Sequence, residues 1–331
     1  MSPVLDLAII GAGPCGLAAA VAAKRHGLTA VVFEQGSVVS SIAAYPTYIT
    51  FFSTAEKIAI AGIPFTVSTE KPTRRDAMTY YRGVVAQEGL TVRPYQKVER
   101  IERTEGGFAV HSRTSTNPHV TAARAVVIAT GYFANPRRLG VPGEALPHVT
   151  HHFREGHEAF QRNAFIVGGG NSAVETALDL VRAGAHVTVA HVGPDFDRNI
   201  KPWVRPEFER LVAERAIAMR WTTRVTAIRA GWVDVTGPKG PEHLRADHVY
   251  LMTGFSPSSE LTGPLGVDFD PETNVPAHDP LTMESNVPGV YVAGVLVSGN
   301  DANRIFIENG RDHGELIAAH LAGRPEQASR T

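Results

Sequence analysis

Two segments of the chain, about half its length apart, follow one plan of an apolar strand, a glycine turn, a helix and a second strand. The first covers residues 4–33 and the second covers residues 164–190. In both, a glycine follows the helix (Gly27 and Gly184) at the position where left-handed backbone commonly ends a helix. The strands are continuous apolar runs, typical of a parallel sheet that is covered on both faces. The repeat predicts an α/β protein with two Rossmann-like, doubly wound domains.

The order of the remaining segments indicates that the second domain is inserted into the first. The alternating stretch 92–110 predicts a small antiparallel meander, which leads into a strand ending at Thr130-Gly131. A similar strand ends at Thr253-Gly254, and the Pro- and Gly-rich stretch 256–280 predicts a linker and irregular structure. The apolar run 290–294 and a long final helix over about 303–322 then return to the first domain. We therefore expect residues 1–138 and 257–331 to form one domain and residues 139–256 the other.

A glycine motif opens the first helix. Gly11, Gly13 and Gly16 form a GxGxxG directly after one strand, and the acidic Glu34 ends the next strand. Glycines at this spacing allow a tight turn and a close approach of the backbone to a pyrophosphate, which then lies at the helix N-terminus. An acid at the end of the second strand accepts hydrogen bonds from ribose hydroxyls. The motif predicts a bound dinucleotide.

The second unit of the repeat carries a variant of the motif. Gly168, Gly170 and Ala173 form a GxGxxA, in which alanine still permits close helix packing. The following strand ends at His191 rather than at an acid. The cations that come next are Arg198, Lys201 and Arg205. Cations without an acid favour the 2′-phosphate of NADPH over NADH; the alternative is that they form a solvated face.

Two nucleotide sites in one chain imply that hydride passes from a nicotinamide to a bound flavin. We therefore assign FAD to the domain of residues 1–138 and 257–331, and NADPH to the inserted domain. The expected FAD contacts are Gly11, Gly13, Pro14, Cys15, Gly16, Glu34, Gln35, Thr47, Val98, Thr130, Gly131 and Gly294. The expected NADPH contacts are Gly168, Gly170, Asn171, Ser172, Ala173, Glu175, His191, Arg198 and Lys201.

Cys15 is the only cysteine among 331 residues. A single cysteine excludes an internal disulfide, a CxxC dithiol and a thiolate-rich zinc site. It lies in the first glycine loop at the start of the helix, where the helix dipole is expected to lower the pKa of the thiol. A nearby pyrophosphate would oppose that effect. The residue is either a reactive thiol or a small side chain that the loop requires.

Charge and composition exclude several classes of function. The formal net charge is −1, which provides no overall field for nucleic acid or an anionic membrane. No apolar run reaches the roughly 20 residues of a membrane-spanning helix, and the N-terminal run lacks a charged signal region. We expect a cytoplasmic protein without nucleic-acid or membrane partners.

Two further groups of residues in the inserted domain have simple interpretations. His151, His152, Glu155 and His157 lack the HExxH spacing of a metallohydrolase, so we expect a solvated hinge segment and no metal site. The three tryptophans of the chain are predicted to be core residues. They are Trp203, Trp221 and Trp232.

The order of the motifs GxGxxG, ATG, GGGNSAVE and GVYVAG resembles the low-molecular-weight thioredoxin reductase superfamily over essentially the whole chain. The CxxC of thioredoxin reductases is absent, and Val295 replaces the aspartate that usually follows the last Ala-Gly. More specific motifs resemble the YpdA-type bacillithiol disulfide reductases. They are GAGPCG at 11–16, FFST at 51–54, HFREGH at 152–157, IKPW at 200–203 and IFIENGR at 305–311.

This resemblance implies FAD and NADPH as cofactors, bacillithiol disulfide or a similar small disulfide as substrate, and a homodimer. It also implies that the cysteine of the glycine loop, here Cys15, is the active thiol. The family tends to have His-Arg where this chain has His191-Val192, so the resemblance leaves Arg198 or Lys201 to replace the missing phosphate partner.

The leading hypothesis is that NADPH reduces FAD, and that the electrons pass to a small disulfide through a mixed disulfide with Cys15. Two alternatives stay open. The first is an NADPH-dependent reductase of ferredoxin or flavodoxin type without thiol chemistry. The second is a flavin-bound redox sensor whose Cys15 is modified by small thiols.

Overall fold

The computed structural model describes residues 3–197, 200–301 and 304–324. The chain divides into two compact units. The first unit comprises Met1–Ala43, Ile49–Asn135 and Ser256–Thr331, and the second comprises Ala44–Tyr48 and Pro136–Phe255. The second unit thus interrupts the first along the chain.

The helices and strands follow in chain order. The strands are β1 (Leu5–Ile10), β2 (Ala30–Phe33), β3 (Val92–Arg93), β4 (Lys97–Thr104), β5 (Gly107–Arg113), β6 (Pro118–Ile128), β7 (Val149–Thr150), β8 (Asn163–Val167), β9 (His186–Ala190), β10 (Ile217–Arg220), β11 (Arg224–Arg229), β12 (Trp232–Gly237), β13 (Gly240–Arg245), β14 (His248–Leu251) and β15 (Val290–Val292). The α-helices are α1 (Pro14–Arg25), α2 (Ser40–Ala43), α3 (Ala55–Ile58), α4 (Arg74–Glu88), α5 (Asn171–Arg182), α6 (Arg205–Ala213), α7 (Ile307–Gly310) and α8 (His313–Ala322).

The sheet of the first unit has the order β3-β2-β1-β6-β5-β4, and β15 also pairs with β6. The pairs β3–β2, β2–β1, β1–β6 and β6–β15 are parallel, whereas β4–β5 and β5–β6 are antiparallel. The antiparallel meander predicted for 92–110 thus runs over 97–128, and β3 at Val92–Arg93 belongs to the parallel part instead. Helix α1 is rich in alanine and buries eight residues, from Gly16 to Ala23. Because these side chains are small, the helix packs closely on the sheet and on α8.

The sheet of the second unit has the order β10-β9-β8-β14-β7 and is parallel throughout. Successive residues of β8 point to opposite faces, as strand geometry requires. Ala164 and Ile166 join an apolar cluster with α5 and α6, while Phe165 and Val167 join a second cluster with the antiparallel strands β11, β12 and β13. The predicted α/β class with two doubly wound units is confirmed.

The predicted long final helix is wrong. The structure has the short α7 and then α8, with Arg311 and Asp312 between them, and Asn303 lies outside the described residues. The Arg311 guanidinium donates hydrogen bonds to the carbonyl oxygens of Glu56 and Ala59. These contacts hold the junction against a segment some 250 residues away.

The prediction that the tryptophans are core residues is wrong for two of them. Trp203 is 63% exposed and Trp232 is 41% exposed. Each ring has a cationic neighbour: Lys201 lies 6.0 Å from the Trp203 ring centre and Arg245 lies 5.3 Å from that of Trp232. Such cation–π contacts suit an aromatic ring at the surface. Among the described residues, no helix is long and apolar enough to cross a membrane.

Candidate active site

The first glycine loop has a conformation and a packing that require glycine. Gly11 has a φ of +112°, and a Cβ there would lie 2.4 Å from the carbonyl oxygen of Ala129. A Cβ on Gly16 would lie 2.0 Å from the oxygen of Gly11. Helix α1 then begins after Gly13, with Pro14 in its first turn and no side-chain cap among the described residues. The first N–H groups of α1 are therefore positioned to bind an anion.

Glu34 is buried beneath this loop and is only 6% exposed. Its Oε2 accepts a hydrogen bond from the backbone N–H of Ala12 at 2.9 Å. Its Oε1 accepts from the N–H of Gly36 at 2.8 Å and from the hydroxyl of Ser40 at 3.0 Å. A carboxylate offers about four acceptor positions, so three protein donors leave room for a ribose hydroxyl. Ser40 was not identified from the sequence, where no pattern links it to Glu34.

The second unit repeats the backbone frame of the first. In the second unit, Gly168 donates to Ala190 at 3.0 Å, and His191 donates to Arg220 at 3.0 Å. In the first unit, Gly11 donates to Phe33 at 2.8 Å and Glu34 donates to Arg93 at 3.1 Å. Two further backbone hydrogen bonds match. In the second unit, the N–H of Thr223 donates to the carbonyl of His191 and the N–H of Thr222 to that of Gly193. In the first unit, Gln96 donates to Glu34 and Tyr95 to Gly36 in the same way. His191 therefore occupies the structural position of Glu34.

The His191 ring packs on two glycines. A Cβ on Gly169 would lie 2.4 to 2.6 Å from three ring atoms, and a Cβ on Gly193 would lie 2.8 Å from Nε2. Gly169 and Gly193 correspond to Ala12 and Gly36 of the first unit, whose N–H groups donate to the Glu34 carboxylate. The Asp197 carboxylate approaches from the following loop, with Oδ1 3.8 Å from His191 Nε2 and Oδ2 3.3 Å from a Cβ position on Gly170. The second unit thus has an imidazole where the first has a buried acid.

Other predicted NADPH residues gather at the start of α5. The Asn171 side-chain oxygen accepts a hydrogen bond from the backbone N–H of Lys201 at 2.9 Å. Burial raises the pKa of Glu175, and the Lys201 charge opposes this shift. Ser172 and Ala173 belong to the first turn of the same helix. Arg198 lies outside the described residues.

The remaining predicted FAD residues are less concentrated. Thr130 is adjacent to the glycine loop, because its Cα lies 3.3 Å from a Cβ position on Gly11. Gln35 is exposed directly after Glu34, and Val98 is buried in β4. Thr47 belongs to the second unit, where its N–H donates to the carbonyl of Arg154 at 2.8 Å.

The Cys15 sulfur lies between two backbone segments of the first unit. A Cβ on Gly294 would be 3.1 Å from this sulfur, and a Cβ on Gly310 would be 3.0 Å from it. Burial raises the pKa of Cys15 to about 12, and the charge of Asp312 adds to the rise. The predicted lowering of the pKa by the helix dipole is therefore wrong, because desolvation of the thiolate is the larger effect.

A buried histidine, His313, also contacts Gly294. The N–H of Gly294 donates to His313 Nδ1 at 3.2 Å, so this nitrogen carries no proton. Burial lowers the pKa of His313, and the neighbouring His278 lowers it further, while Asp312 opposes both. A neutral thiol and a neutral imidazole therefore flank Gly294. His313 was not identified from the sequence, since nothing in the pattern places it near Cys15.

The histidine-rich segment of the second unit is only partly solvated: His157 is exposed, as predicted, whereas His151 and His152 are half-buried, against the prediction. The His151 side chain is 11% exposed, and its Nε2 lies 3.2 Å from the Glu144 carboxylate. Burial lowers the pKa of both His151 and His152. Within the described residues, no group of three or more His, Cys, Asp or Glu side chains could hold a metal ion.

The two glycine-loop units and the half-buried loop thiol indicate a class of redox enzyme, and comparison with known proteins identifies the family. The chain belongs to the pyridine nucleotide-disulphide oxidoreductases, whose family model matches residues 8–294. It is therefore an oxidoreductase of a family that works with a flavin and a nicotinamide nucleotide.

Individual relatives cover nearly the whole chain. It is 43% identical over 320 residues to the bacilliredoxin reductase Bdr of Bacillus subtilis, covering 96% of this chain and 97% of that protein. The solved structure of the bacillithiol disulfide reductase Bdr (YpdA) from Bacillus cereus superposes with a TM-score of 0.95 at 40% identity, covering 98% and 100% of the two chains. A ferredoxin–NADP reductase of Ignicoccus hospitalis is 30% identical over 299 residues, covering 87% and 89%. The resemblance drawn from the motifs is confirmed.

Proposed function

We propose that this protein is an FAD-dependent NADPH oxidoreductase that reduces a low-molecular-weight disulfide, bacillithiol disulfide in particular. The observation that carries this proposal is the similarity to the Bacillus subtilis and Bacillus cereus reductases across almost the full chain. In the net reaction, NADPH, one proton and RSSR give NADP⁺ and two RSH.

The first unit has the residues that would hold the adenosine diphosphate part of FAD. Gly11 and Gly13 leave the N-terminus of α1 open to a pyrophosphate, and Glu34 is locked beneath the loop by three donors. Bound FAD supplies the two-electron chemistry that connects a nicotinamide to a disulfide. On this proposal the first unit is the FAD domain.

The second unit supports NADPH as the reductant. His191 stands where a 2′-hydroxyl acceptor would be, so no buried carboxylate opposes a 2′-phosphate at that position. Lys201 supplies a cation close to α5, as its effect on Glu175 indicates. The domain of residues 136–255 is then the NADPH domain.

We assign the exchange step to Cys15, the only thiol of the chain. Its sulfur attacks RSSR, the Cys15–S–SR bond forms as the RS–SR bond breaks, and the thiol proton leaves with RSH. Two electrons that originate in NADPH, with two protons, then cleave Cys15–S–SR to the free thiol and a second RSH. Because desolvation raises the pKa of the thiol to about 12, deprotonation must accompany the approach of the disulfide.

The test measures NADPH oxidation by the purified flavoprotein with four acceptors in parallel: bacillithiol disulfide, glutathione disulfide, an oxidised bacilliredoxin and ferredoxin. We expect bacillithiol disulfide to give the highest kcat/KM, and Cys15→Ala to bind FAD but to lose turnover with the disulfide. Turnover with ferredoxin alone, unchanged by Cys15→Ala, would contradict the proposal.

A second candidate is a ferredoxin–NADP reductase, favoured by the 30% identity to the Ignicoccus hospitalis protein. This function needs the same two nucleotide domains but no thiol. The Cys15→Ala variant separates the two candidates, because only disulfide reduction depends on the sulfur.

A further inference from the structure

The first unit contains a cleft that the two proposed nucleotide sites do not use. A cavity of about 680 Å³ lies between α1, the segment 54–70 and the start of α8. A second cavity of about 630 Å³ shares Thr54 and Glu70 with it, so the two adjoin. We name this space the α1/α8 cleft and define it by Ala18, Ala22, Arg25, Thr54, Glu70 and Arg311.

The cleft and the proposed FAD loop lie on different parts of α1. Ala18 and Ala22 line the cleft one and two turns beyond the glycine loop. Gly11, Gly13 and Glu34 line neither cavity in the part of the chain that the structure describes. The cleft is therefore separate from the pyrophosphate position.

Two sequence motifs that nucleotide binding does not explain build the walls of the cleft. The segments 51–54 and 305–311 are joined by a hydrogen bond from the Ser53 hydroxyl to the Glu308 carboxylate. Arg311 also donates to the carbonyls of Glu56 and Ala59, at 2.9 and 2.5 Å. These bonds hold the guanidinium in place at the cleft wall before any ligand arrives, which lowers the entropy cost of binding.

The lining carries both signs of charge. Its basic residues are Arg25, Lys57, Lys71 and Arg311, and its acidic residues are Glu56, Glu70, Glu308, Asp312 and Glu315. An apolar ligand would have to desolvate these groups, and a purely anionic ligand would meet five carboxylates. The lining is complementary to a small molecule with both carboxylate and ammonium groups.

A single backbone segment separates the cleft from the Cys15 sulfur. Gly310 contacts this sulfur, since a Cβ there would lie 3.0 Å from it. The next two residues, Arg311 and Asp312, line the cleft. This is also the junction where α7 ends and α8 begins, so it is not held by continuous helical hydrogen bonds.

We infer that the α1/α8 cleft binds the low-molecular-weight disulfide substrate, a molecule with both carboxylate and ammonium groups, and that the Gly310–Asp312 segment moves aside to let its sulfur reach Cys15. This inference rests on the proposed function and adds the place where the substrate binds.

The test places a bulky side chain in the cleft without touching the glycine loop. Thr66 lines the cleft and is exposed, so Thr66→Trp fills the space. Thr104→Trp makes the same change at an exposed position at the end of β4 and serves as the matched control. Bacillithiol disulfide is titrated calorimetrically into each flavoprotein without NADPH, and KM is measured with NADPH. Ferricyanide reduction by NADPH reports the nucleotide sites independently.

We expect Thr66→Trp to weaken calorimetric binding and raise KM at least tenfold, with FAD content and ferricyanide reduction unchanged, and Thr104→Trp to match the wild type. If Thr66→Trp fails to fold, Glu70→Lys reverses a charge in the cleft and should raise KM in the same way. Unchanged binding and KM in these variants, with a wild type that reduces the disulfide, would overturn the cleft alone. A wild type that reduces no small disulfide would overturn the proposed function and the cleft with it.

Discussion

At the scale of single residues, one position distinguishes the two nucleotide units. Glu34 and His191 sit in the same backbone frame, each donating its N–H to the end of a neighbouring strand. In the first unit the side chain accepts from loop N–H groups, and in the second a ring packs on two glycines. The backbone frame is the same in both units, and on the proposed function the side chain at this position decides which ribose substituent is tolerated.

His191→Glu is expected to reverse the preference between the two nicotinamide nucleotides. A carboxylate at this position repels a 2′-phosphate and accepts from a 2′-hydroxyl. Charge-assisted hydrogen bonds contribute about 1.5–3 kcal/mol, so affinity for 2′,5′-ADP should fall about 10- to 100-fold. Calorimetric titration with 2′,5′-ADP and 5′-AMP measures the change. His186→Glu makes the same substitution at the other end of β9 and should leave both affinities unaltered; an equal loss in the two variants would contradict the assignment.

The rate at which iodoacetamide alkylates Cys15 in the folded protein is expected to rise with pH well above the ordinary thiol range. Only the thiolate reacts, and the pKa of the folded thiol is about 12. Below that pH the thiolate fraction rises tenfold per pH unit, so the alkylation rate should still be rising at pH 10. In the urea-unfolded chain the rate should level off near the ordinary thiol pKa of about 8.5. Mass spectrometry of timed samples gives both profiles, and a plateau below pH 8 in the folded protein would show that the thiol is not desolvated.

At the scale of elements, the second strand of each repeat could be predicted to the residue, and the first strand to within one residue at its start. The prediction of β2 at residues 30–33 and β9 at residues 186–190 is confirmed, because an apolar run that begins after a glycine and ends at a polar residue has few alternatives. The break between α7 and α8 could not be predicted. It depends on Arg311 bonding to a segment some 250 residues away, and no local pattern contains that contact.

The same distinction applies to the candidate site. The glycine loops, Glu34 and His191 follow from local spacing, and the structure places them in equivalent frames. The raised pKa of Cys15 follows from desolvation and from the charge of Asp312, a residue distant in sequence. The sequence identified the thiol but not its environment.

Gly310→Ala tests the contact between α7 and α1. The added Cβ would lie 3.0 Å from the Cys15 sulfur and 3.1 Å from Cγ2 of Ile305, so overpacking should cost about 1–3 kcal/mol of unfolding free energy. Cys15→Ala removes the sulfur, and the double variant should recover at least about 0.5 kcal/mol relative to the sum of the single changes. Urea unfolding measures all three.

The control for this cycle is Gly83→Ala in α4, where a Cβ would meet nothing within 4 Å. Because alanine is the better helix former, this change should stabilise the protein by up to about 1 kcal/mol. Additive effects of Gly310→Ala and Cys15→Ala would show that the two residues do not share this contact.

At the scale of the whole molecule, the chain has two complete nucleotide frames and almost no net charge. Nothing in the overall charge of −1 selects one anionic ligand over another. On the proposed function, the choice between FAD and NADPH therefore depends on the local side chains of each unit, and the two ligands should be separable by where they protect the backbone.

Hydrogen exchange with 2′,5′-ADP is expected to protect the second unit selectively. At 100 times its Kd, a ligand that binds only the folded form stabilises it by about 2.7 kcal/mol. Amides in 168–173 should gain protection, while those in 11–16, already covered by FAD in the holoprotein, should not change. Added protection in 11–16 would reverse the assignment of the two units.

The Cys15 sulfur packs between two glycines, so a change in its chemical state affects the position of the neighbouring backbone. A group attached to that sulfur on the side of the two glycines would displace Gly294, Gly310 or both, because a single Cβ on either glycine would already lie within 3.1 Å of the sulfur. Displacing Gly310 moves the α7/α8 junction and, with it, the arginine that binds the carbonyls of Glu56 and Ala59. The position of the loop around α3 would thus depend on whether the thiol is free or substituted.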